Sequence, residues 1–472
     1  MARDLTADGE RAGPCAPWGT RTPDPSPNDP PMPADEERTR KPLEIRIERF
    51  FFPRFKRWHR YAAVVLLAGV LLSATYSFFV FPRLRYLFTA VPVIPSAHDT
   101  AAVVAGLSPE VLSGAEAIVS GEVNRGGFPG GALAIGEGGR TLAEVGIGRT
   151  EWGRLSDPVD ADGTVYDLAS LTKVMGTTTA VMILVDDGRL RLDDRVARWV
   201  PEFHGEGRDS VTVRQLLTHT SGLPAGMAEV PGATPEQRLA HLLSDVRLID
   251  RPGASVLYSD VGFIVLGEVV ARAAGEPLPA FLRRRVWTPL RMTGTRFRPG
   301  QGCDACAPTL TLEDGTPFAG ETNDPLSREL GGITGNAGLF STVHDVGRYA
   351  ALIAGGGALD GVRIVQDSTL RLFTRAQPGT GTRGLGFEVF CEEGTVPDRD
   401  GCKLPYAFGH TGYTGTSLWI DPRSRRWVVL LTNRTYLPRA SNRIQAVRRQ
   451  LFNLVVGYTA DQVREDTTDV GR

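Results

Sequence analysis

Apolar and polar positions alternate in blocks along the chain, and the blocks change period. Ala132 to Ile135 and Thr141 to Val145 are short apolar runs around Glu137-Gly138-Gly139-Arg140, the pattern of a β-hairpin. A helical pattern precedes them near Pro109 to Val123. Thr164 to Ala169 then leads into a predicted helix from Ser170 to about Asp187. Val174, Met175, Val181, Met182, Leu184 and Val185 supply its apolar positions, and Gly188 ends it. Val213 to Pro224 reads as a helix with an abrupt stop. Helical pattern dominates from there to about Arg284, loop through much of 300–335, and helix again over Val343 to Ala354. Strand patterns return at Leu385 to Phe390, Tyr406 to His410, Thr416 to Ile420 and Trp427 to Thr432, before a last helix over Ser441 to Val455. Strands at both ends with helices between predict one antiparallel α/β (α+β) sheet, built from both chain ends, with flanking helices and an inserted helical subdomain.

One apolar block fits no soluble element. Tyr61 to Phe81 carries 21 residues without a charge, enough to cross a hydrocarbon core of about 30 Å. Arg46, Arg49, Arg54, Lys56, Arg57 and Arg60 precede it, and only Arg83 and Arg85 follow closely. That bias predicts an uncleaved anchor at 61–82, with the N-terminus in the cytoplasm and the rest periplasmic or extracellular. The expected layout is a Pro-rich, disordered cytoplasmic segment over 1–60, the anchor at 61–82, a tether at 83–105, a folded domain at 106–458 and a tail at 459–472. Met32 is an alternative start to Met1.

Composition removes some classes of function. A net charge of −1 gives no reason to expect nucleic acid, and no Gly-rich phosphate loop is present. No cofactor or metal is called for. Cys303, Cys306, Cys391 and Cys402 fall on the oxidising side of the predicted anchor. Cys303 with Cys306, and Cys391 with Cys402 across a polar loop, are disulfide candidates ahead of zinc ligands. The 53 basic residues include four lysines (Lys41, Lys56, Lys173 and Lys403) against 49 arginines. Arginine cannot release its proton and lysine can. A lysine three residues after Ser170, on the same helical face, therefore has a chemical reason to be there, although an ordinary helix start reads the same way. Tyr258, in Tyr258-Ser259-Asp260 before the apolar run from Val261, can point a phenol into a cleft. Ser259 or Asp260 serves as a helix cap there. His410-Thr411-Gly412 stands between two strand patterns, where Gly412 lets a substrate approach and Thr411 offers a hydroxyl.

These three motifs, in this order, resemble the penicillin-recognising serine hydrolases: class C β-lactamases, low-molecular-mass DD-peptidases and related esterases. Phe128-Pro129-Gly130-Gly131, Asp167-Leu168-Ala169, Leu216 to Leu223 and Gly335 to Thr342 resemble the family as well, so the likeness covers about 106–456. The resemblance implies Ser170 as nucleophile and Lys173 and Tyr258 as proton partners. It implies backbone N–H groups of Ser170 and Tyr413 as an oxyanion hole, Asp260, His410, Thr411 and Gly412 as substrate-binding positions, and His219 as structural. Asp260 replaces the usual Asn and can pair with Lys173 to keep it charged. His410 replaces the Lys of β-lactamases and would offer a carboxylate a pH-dependent pull. The expectation is a membrane-anchored enzyme on D-Ala-D-Ala cell-wall peptides, with a carboxylesterase or β-lactamase of the same fold, or a non-catalytic wall-binding or sensor protein, as alternatives. The partner is a small-molecule or peptide substrate, and the oligomeric state stays open.

Overall fold

The computed structural model describes residues 57–80, 91–98, 107–153, 155–391, 405–436 and 443–457. The expectations for 1–56, for Cys402 with its loop, for most of the tether and for the tail lie outside them. Backbone proximity separates 1–72 from 73–472. Helix α1 (Arg57–Val80, 24 residues) is continuous, about 36 Å at 1.5 Å per residue. Val64, Val65, Leu66, Leu67, Val70, Leu71 and Leu72 are exposed on it. Among the described residues no helix is long and apolar enough to cross a membrane. The anchor expected at 61–82 therefore rests on the sequence run alone.

A seven-stranded antiparallel sheet organises 73–472. Its strands are β1 (Val93–Pro95), β2 (Gly130–Glu137), β3 (Arg140–Gly148), β4 (Glu388–Cys391), β5 (Pro405–Thr411), β6 (Ser417–Ile420) and β7 (Arg426–Thr432), in the spatial order β1-β3-β2-β7-β6-β5-β4. The β2–β7 pairing, from Gly131↔Thr432 to Glu137↔Arg426, joins the two chain ends as the strand pattern predicts. Gly136 is required beside it, because a Cβ there would lie 2.1 Å from the Trp427 ring. β1 is an addition: Val93–Pro95 falls in the stretch read as tether yet pairs with β3 as an edge strand. A three-residue run ending in proline carries too little pattern to announce a strand, and an edge tolerates the missing N–H.

β2 and β7 are buried on both faces, so alternate residues feed two cores. Leu133, Ile135, Val428 and Leu430 pack under α2 (Pro109–Asn124) and α6 (Ile444–Val456), with Val119, Val447 and Leu451. Ala132, Ala134, Val429 and Leu431 face Val346, Tyr349, Ala350 and Ile353 of α5 (Val343–Ala354). Each large aliphatic side chain buried this way contributes about 1.5–3 kcal/mol. Ser108 caps α2, Thr342 caps α5, and Gly457, with φ +81°, ends α6.

The central region is helical, as expected, with one shortened element. Val213–Leu217 is helical under a Thr212/Gln215 capping box, but the helix stops before Thr218. His219 there adopts φ +58°, a left-handed conformation that no helix continues through. Cys303 and Cys306 form a disulfide, with Cα atoms 5.4 Å apart.

α5 also carries a pH-sensitive contact. His344 Nδ1 lies 2.9 Å from the buried Glu144 carboxylate of β3, its ring stacks on His98, and Asp345 and Arg348 flank it. The hydrogen bond to Glu144 raises the His344 pKa against the opposing effect of burial. A raised histidine pKa gives stability that is full below the unfolded value of about 6.5 and is lost as pH rises through the folded value. His344→Gln should therefore show a smaller fall in Tm between pH 6 and pH 9 than the parent chain. Parallel Tm–pH curves would remove this role.

Candidate active site

Ser170 stands at a strained elbow between a short strand and a helix. Tyr166–Asp167 pairs with Leu339–Ser341, and the chain then turns through Ala169, whose φ of +48° is costly for a residue with a Cβ. Asp167 pays for that turn: its Oδ1 accepts the Ala169 N–H at 2.9 Å and its Oδ2 the Asn323 N–H at 2.5 Å. Burial pushes the Asp167 carboxyl up to about 6, more than those two bonds lower it. The helix that follows is not regular in its first turns. Lys173–Thr178 is π-helical and runs into α3 (Thr179–Asp186). Such an insertion is common at functional sites.

The predicted pair meets. Lys173 Nζ donates to Ser170 Oγ at 3.1 Å, to Asp260 Oδ1 at 2.5 Å and to the Asn336 carbonyl at 3.1 Å. An ammonium has three N–H donors, and here all three have acceptors. A neutral amine would turn its lone pair on one of those oxygens. Burial opposes the charge on this fully buried lysine, but Tyr258 and Asp260 outweigh it and raise the pKa above its usual value. Asp260 is the first residue of α4 (Asp260–Ala274), and Ser259 is the cap. Asp260, expected among the substrate-binding positions, thus faces the lysine as its counter-ion. Gly267 of α4 and Gly335 bring α4 and the 334–336 segment together; a Cβ on Gly335 would lie 2.0 Å from the Phe263 carbonyl.

Tyr258 Oη donates to Ser170 Oγ at 2.9 Å, and Lys173 Nζ lies 4.9 Å from its ring centroid. His219 holds the tyrosine from behind. The rings are 4.5 Å apart, and His219 Nδ1 accepts the Ser259 N–H at 3.0 Å. Burial drives the His219 pKa well down, so the ring is neutral and structural.

β5 and the turn after it bring in His410-Thr411-Gly412. Gly412 has no room for a side chain, because a Cβ would lie 2.0 Å from Thr416 Oγ1 and 2.5 Å from the Leu168 carbonyl. Thr414 and Thr416 hydroxyls donate to the Asp167 and Leu168 carbonyls at 2.8 and 2.9 Å. The turn is thereby tied to the strand that delivers Ser170. The Tyr413 ring is 68% exposed. The backbone N–H groups of Tyr413 and Ser170 have no acceptor among the described residues. Thr411 pairs with Ser417. His410 departs from expectation. It is buried, its Nδ1 bonds the Thr411 carbonyl at 2.7 Å, and burial lowers its pKa to about 4. It is neutral near pH 7, with Nε2 unprotonated, and exerts no pH-dependent pull on a carboxylate there.

Two arginines escaped the sequence reading. Arg383 lies with its guanidinium carbon 5.4 Å from the Tyr258 ring centroid, 17% exposed, and pairs with Glu388 at 3.0 Å. Its charge bears on both His219 and His410. Arg448 of α6 bonds the turn from below. Among 49 arginines neither stands out, and no local pattern marks them.

A serine hydroxyl between a lysine and a tyrosine, with two open backbone N–H groups, defines a serine hydrolase. The model of the Beta-lactamase family matches residues 115–452, and the chain belongs to that family. An Escherichia coli (strain K12) protein named "Putative D-alanyl-D-alanine carboxypeptidase" is 30% identical over 342 residues, which cover 66% of this chain and 79% of that one. A protein of the same name from Escherichia coli O157:H7 is 28% identical over 401 residues, covering 76% and 91%. Among solved structures, EstCE1, a hydrolase with promiscuous acyltransferase activity, is 25% identical with a TM-score of 0.59, covering 73% of this chain and 98% of its own. A penicillin-binding protein homologue from Caulobacter crescentus, at 20% identity, shares the fold with a TM-score of 0.60, covering 75% and 98%.

Proposed function

We propose that the chain is a D-alanyl-D-alanine carboxypeptidase acting on cell-wall peptides through an acyl-enzyme on Ser170. The observation that carries this reading is Ser170 Oγ held 3.1 Å from Lys173 Nζ and 2.9 Å from Tyr258 Oη. In the reactive form Tyr258 has first released its own proton to solvent; Ser170 Oγ then attacks the penultimate D-Ala carbonyl while its proton passes to the Tyr258 phenolate, which faces the Lys173 ammonium. The Ser170 and Tyr413 N–H groups take the oxyanion, each worth on the order of 2.7–4 kcal/mol. Collapse breaks the peptide bond, and Tyr258 returns the proton to the departing D-Ala amine. Water then enters by the same route and frees the serine. With His410 neutral, Arg383, which lies over the Tyr258 ring and pairs with Glu388, is the cation that would receive the terminal carboxylate. The relatives' names support this substrate class.

A carboxylesterase is the second reading. Asp260 is occupied by Lys173 and has no N–H to offer a substrate amide, and the likeness to EstCE1 points the same way. Mass spectrometry after exposure to a D-Ala-D-Ala peptide, a simple ester, a fluorescent penicillin and a fluorophosphonate separates the readings. The expected result is an acyl group on the Ser170 peptide and release of D-Ala. Turnover of esters alone selects the esterase, and fast hydrolysis of the penicillin selects a β-lactamase. No adduct with any probe would overturn the acyl-enzyme.

Residues 61–82 are proposed to anchor the enzyme, supported by the uncharged run Tyr61–Phe81. The basic flank supports a catalytic domain outside the cytoplasm. A reporter active only in the cytoplasm, fused after Arg472, should be silent; activity would reverse the topology.

A further inference from the structure

α6 turns one charged side chain into the protein. Arg448 is 5% exposed and sits between Val447 and Leu451 of the apolar layer under the sheet. One of its terminal nitrogens donates to the Gly412 carbonyl at 2.8 Å and to the Thr416 carbonyl at 2.7 Å, at the two ends of the turn after β5. No carboxylate lies within ion-pair distance of it among the described residues; Glu388 and Arg434 act on it only through space. A buried cation without an anion is costly to desolvate, so the fold carries a charge here that its own stability does not call for. What the position lacks is a negative charge, and the turn is where one forms when Ser170 attacks.

The link is covalent. The Gly412 carbonyl and the Tyr413 N–H are the two ends of one planar peptide group. A cation bonded to the oxygen draws electron density through the amide and leaves the N–H a stronger donor. It also fixes the plane in which that N–H points. The neighbouring peptide is held too, because Arg434 Nε donates to the Tyr413 carbonyl at 2.9 Å. Gly412 itself has no freedom to swing, being wedged against Thr416 and Leu168.

We infer that Arg448 is a positioning residue for acyl transfer, which aims and polarises the Tyr413 N–H through the Gly412 carbonyl. This rests on the reading of Tyr413 as an oxyanion donor. The test uses the full chain, Arg448→Met and Arg448→Lys, with an activated ester carrying a 13C carbonyl, trapped on Ser170. Removing an oxyanion donor outright costs about 10²–10³ in kcat. Weakening one should cost Arg448→Met about 10–100-fold in kcat with KM within twofold, with an equal loss of affinity for a boronic acid that mimics the tetrahedral state. The acyl carbonyl stretch should move to higher frequency. Arg448→Lys keeps the charge and should fall between, and it is the variant to read if Arg448→Met does not fold. A purely structural role would lower Tm and leave the carbonyl frequency of the acylated fraction unchanged, and that result overturns the inference. So does a rise in KM with kcat intact. If the parent acyl-enzyme shows the same frequency folded and denatured, the oxyanion reading of Tyr413 itself fails, independently of Arg448.

Discussion

Tyr258→Phe is expected to slow acylation of Ser170 by about 10²–10⁴-fold, the range lost with a general base, while substrate binding changes little. The reason lies in Lys173. Its three N–H groups are all spent on Ser170, Asp260 and Asn336, and the Asp260 carboxylate at 2.5 Å holds the ammonium. A lysine so held cannot take a proton, which leaves the Tyr258 oxygen, 2.9 Å from Ser170 Oγ, as the acceptor once the phenol has released its own proton. The counter-ion gives the second half of the test. Asp260→Asn removes the charge that favours the ammonium, so the amine deprotonates more readily. Tyr258→Phe/Asp260→Asn should then recover part of the lost rate as pH rises, where Tyr258→Phe alone does not. Single-turnover acylation against pH reads both. Full activity in Tyr258→Phe would make Lys173 the base and reverse the assignment.

The sequence carried most of the sheet and the reacting pair, because both are encoded locally. Short apolar runs around a glycine turn mark β2 and β3, further short runs mark the C-terminal strands, and a three-residue spacing places Lys173 on the face of Ser170. What escaped it is set by contacts between distant segments. The π-helical turn at Lys173–Thr178 has the same apolar spacing as an α-helix until the Thr177 hydroxyl ties it to the Gly335 carbonyl at 2.7 Å. His410 reads as a titrating histidine until β4 and β6 bury it on either side of β5. Arg383 and Arg448 are chemically ordinary in an arginine-rich chain and gain their meaning only from Tyr258 and from the Gly412 carbonyl beside them. The Lys173–Asp260 contact was legible as a departure from Asn, since a carboxylate beside an ammonium has one evident use. The proposed anchor is a reading of sequence alone, from an uncharged run with a basic flank.

Lys173→Met should abolish detectable turnover, and it should also destabilise the fold. In catalysis it removes the cation that faces the Tyr258 phenolate and the donor that holds Ser170 Oγ. Groups that act as one unit lose their effect together, so Lys173→Met/Tyr258→Phe should be no slower than Lys173→Met by itself. In stability, methionine fills much of the lysine's volume but leaves Asp260 and the Asn336 carbonyl without their donor. Breaking a buried pair from one side costs about 3–5 kcal/mol. The Asp260 side chain is 30% exposed, so water takes up part of the loss and the expected cost is about 3 kcal/mol or less. Asp260→Asn on the Lys173→Met background removes the stranded charge and should return stability without returning turnover, with a coupling energy in the range of about 0.5–3 kcal/mol for contacting residues. Urea unfolding of the four chains of this cycle measures that coupling. Additive losses, with no recovery in the double variant, would show that Lys173 and Asp260 do not depend on one another and would return Lys173 to the role of base.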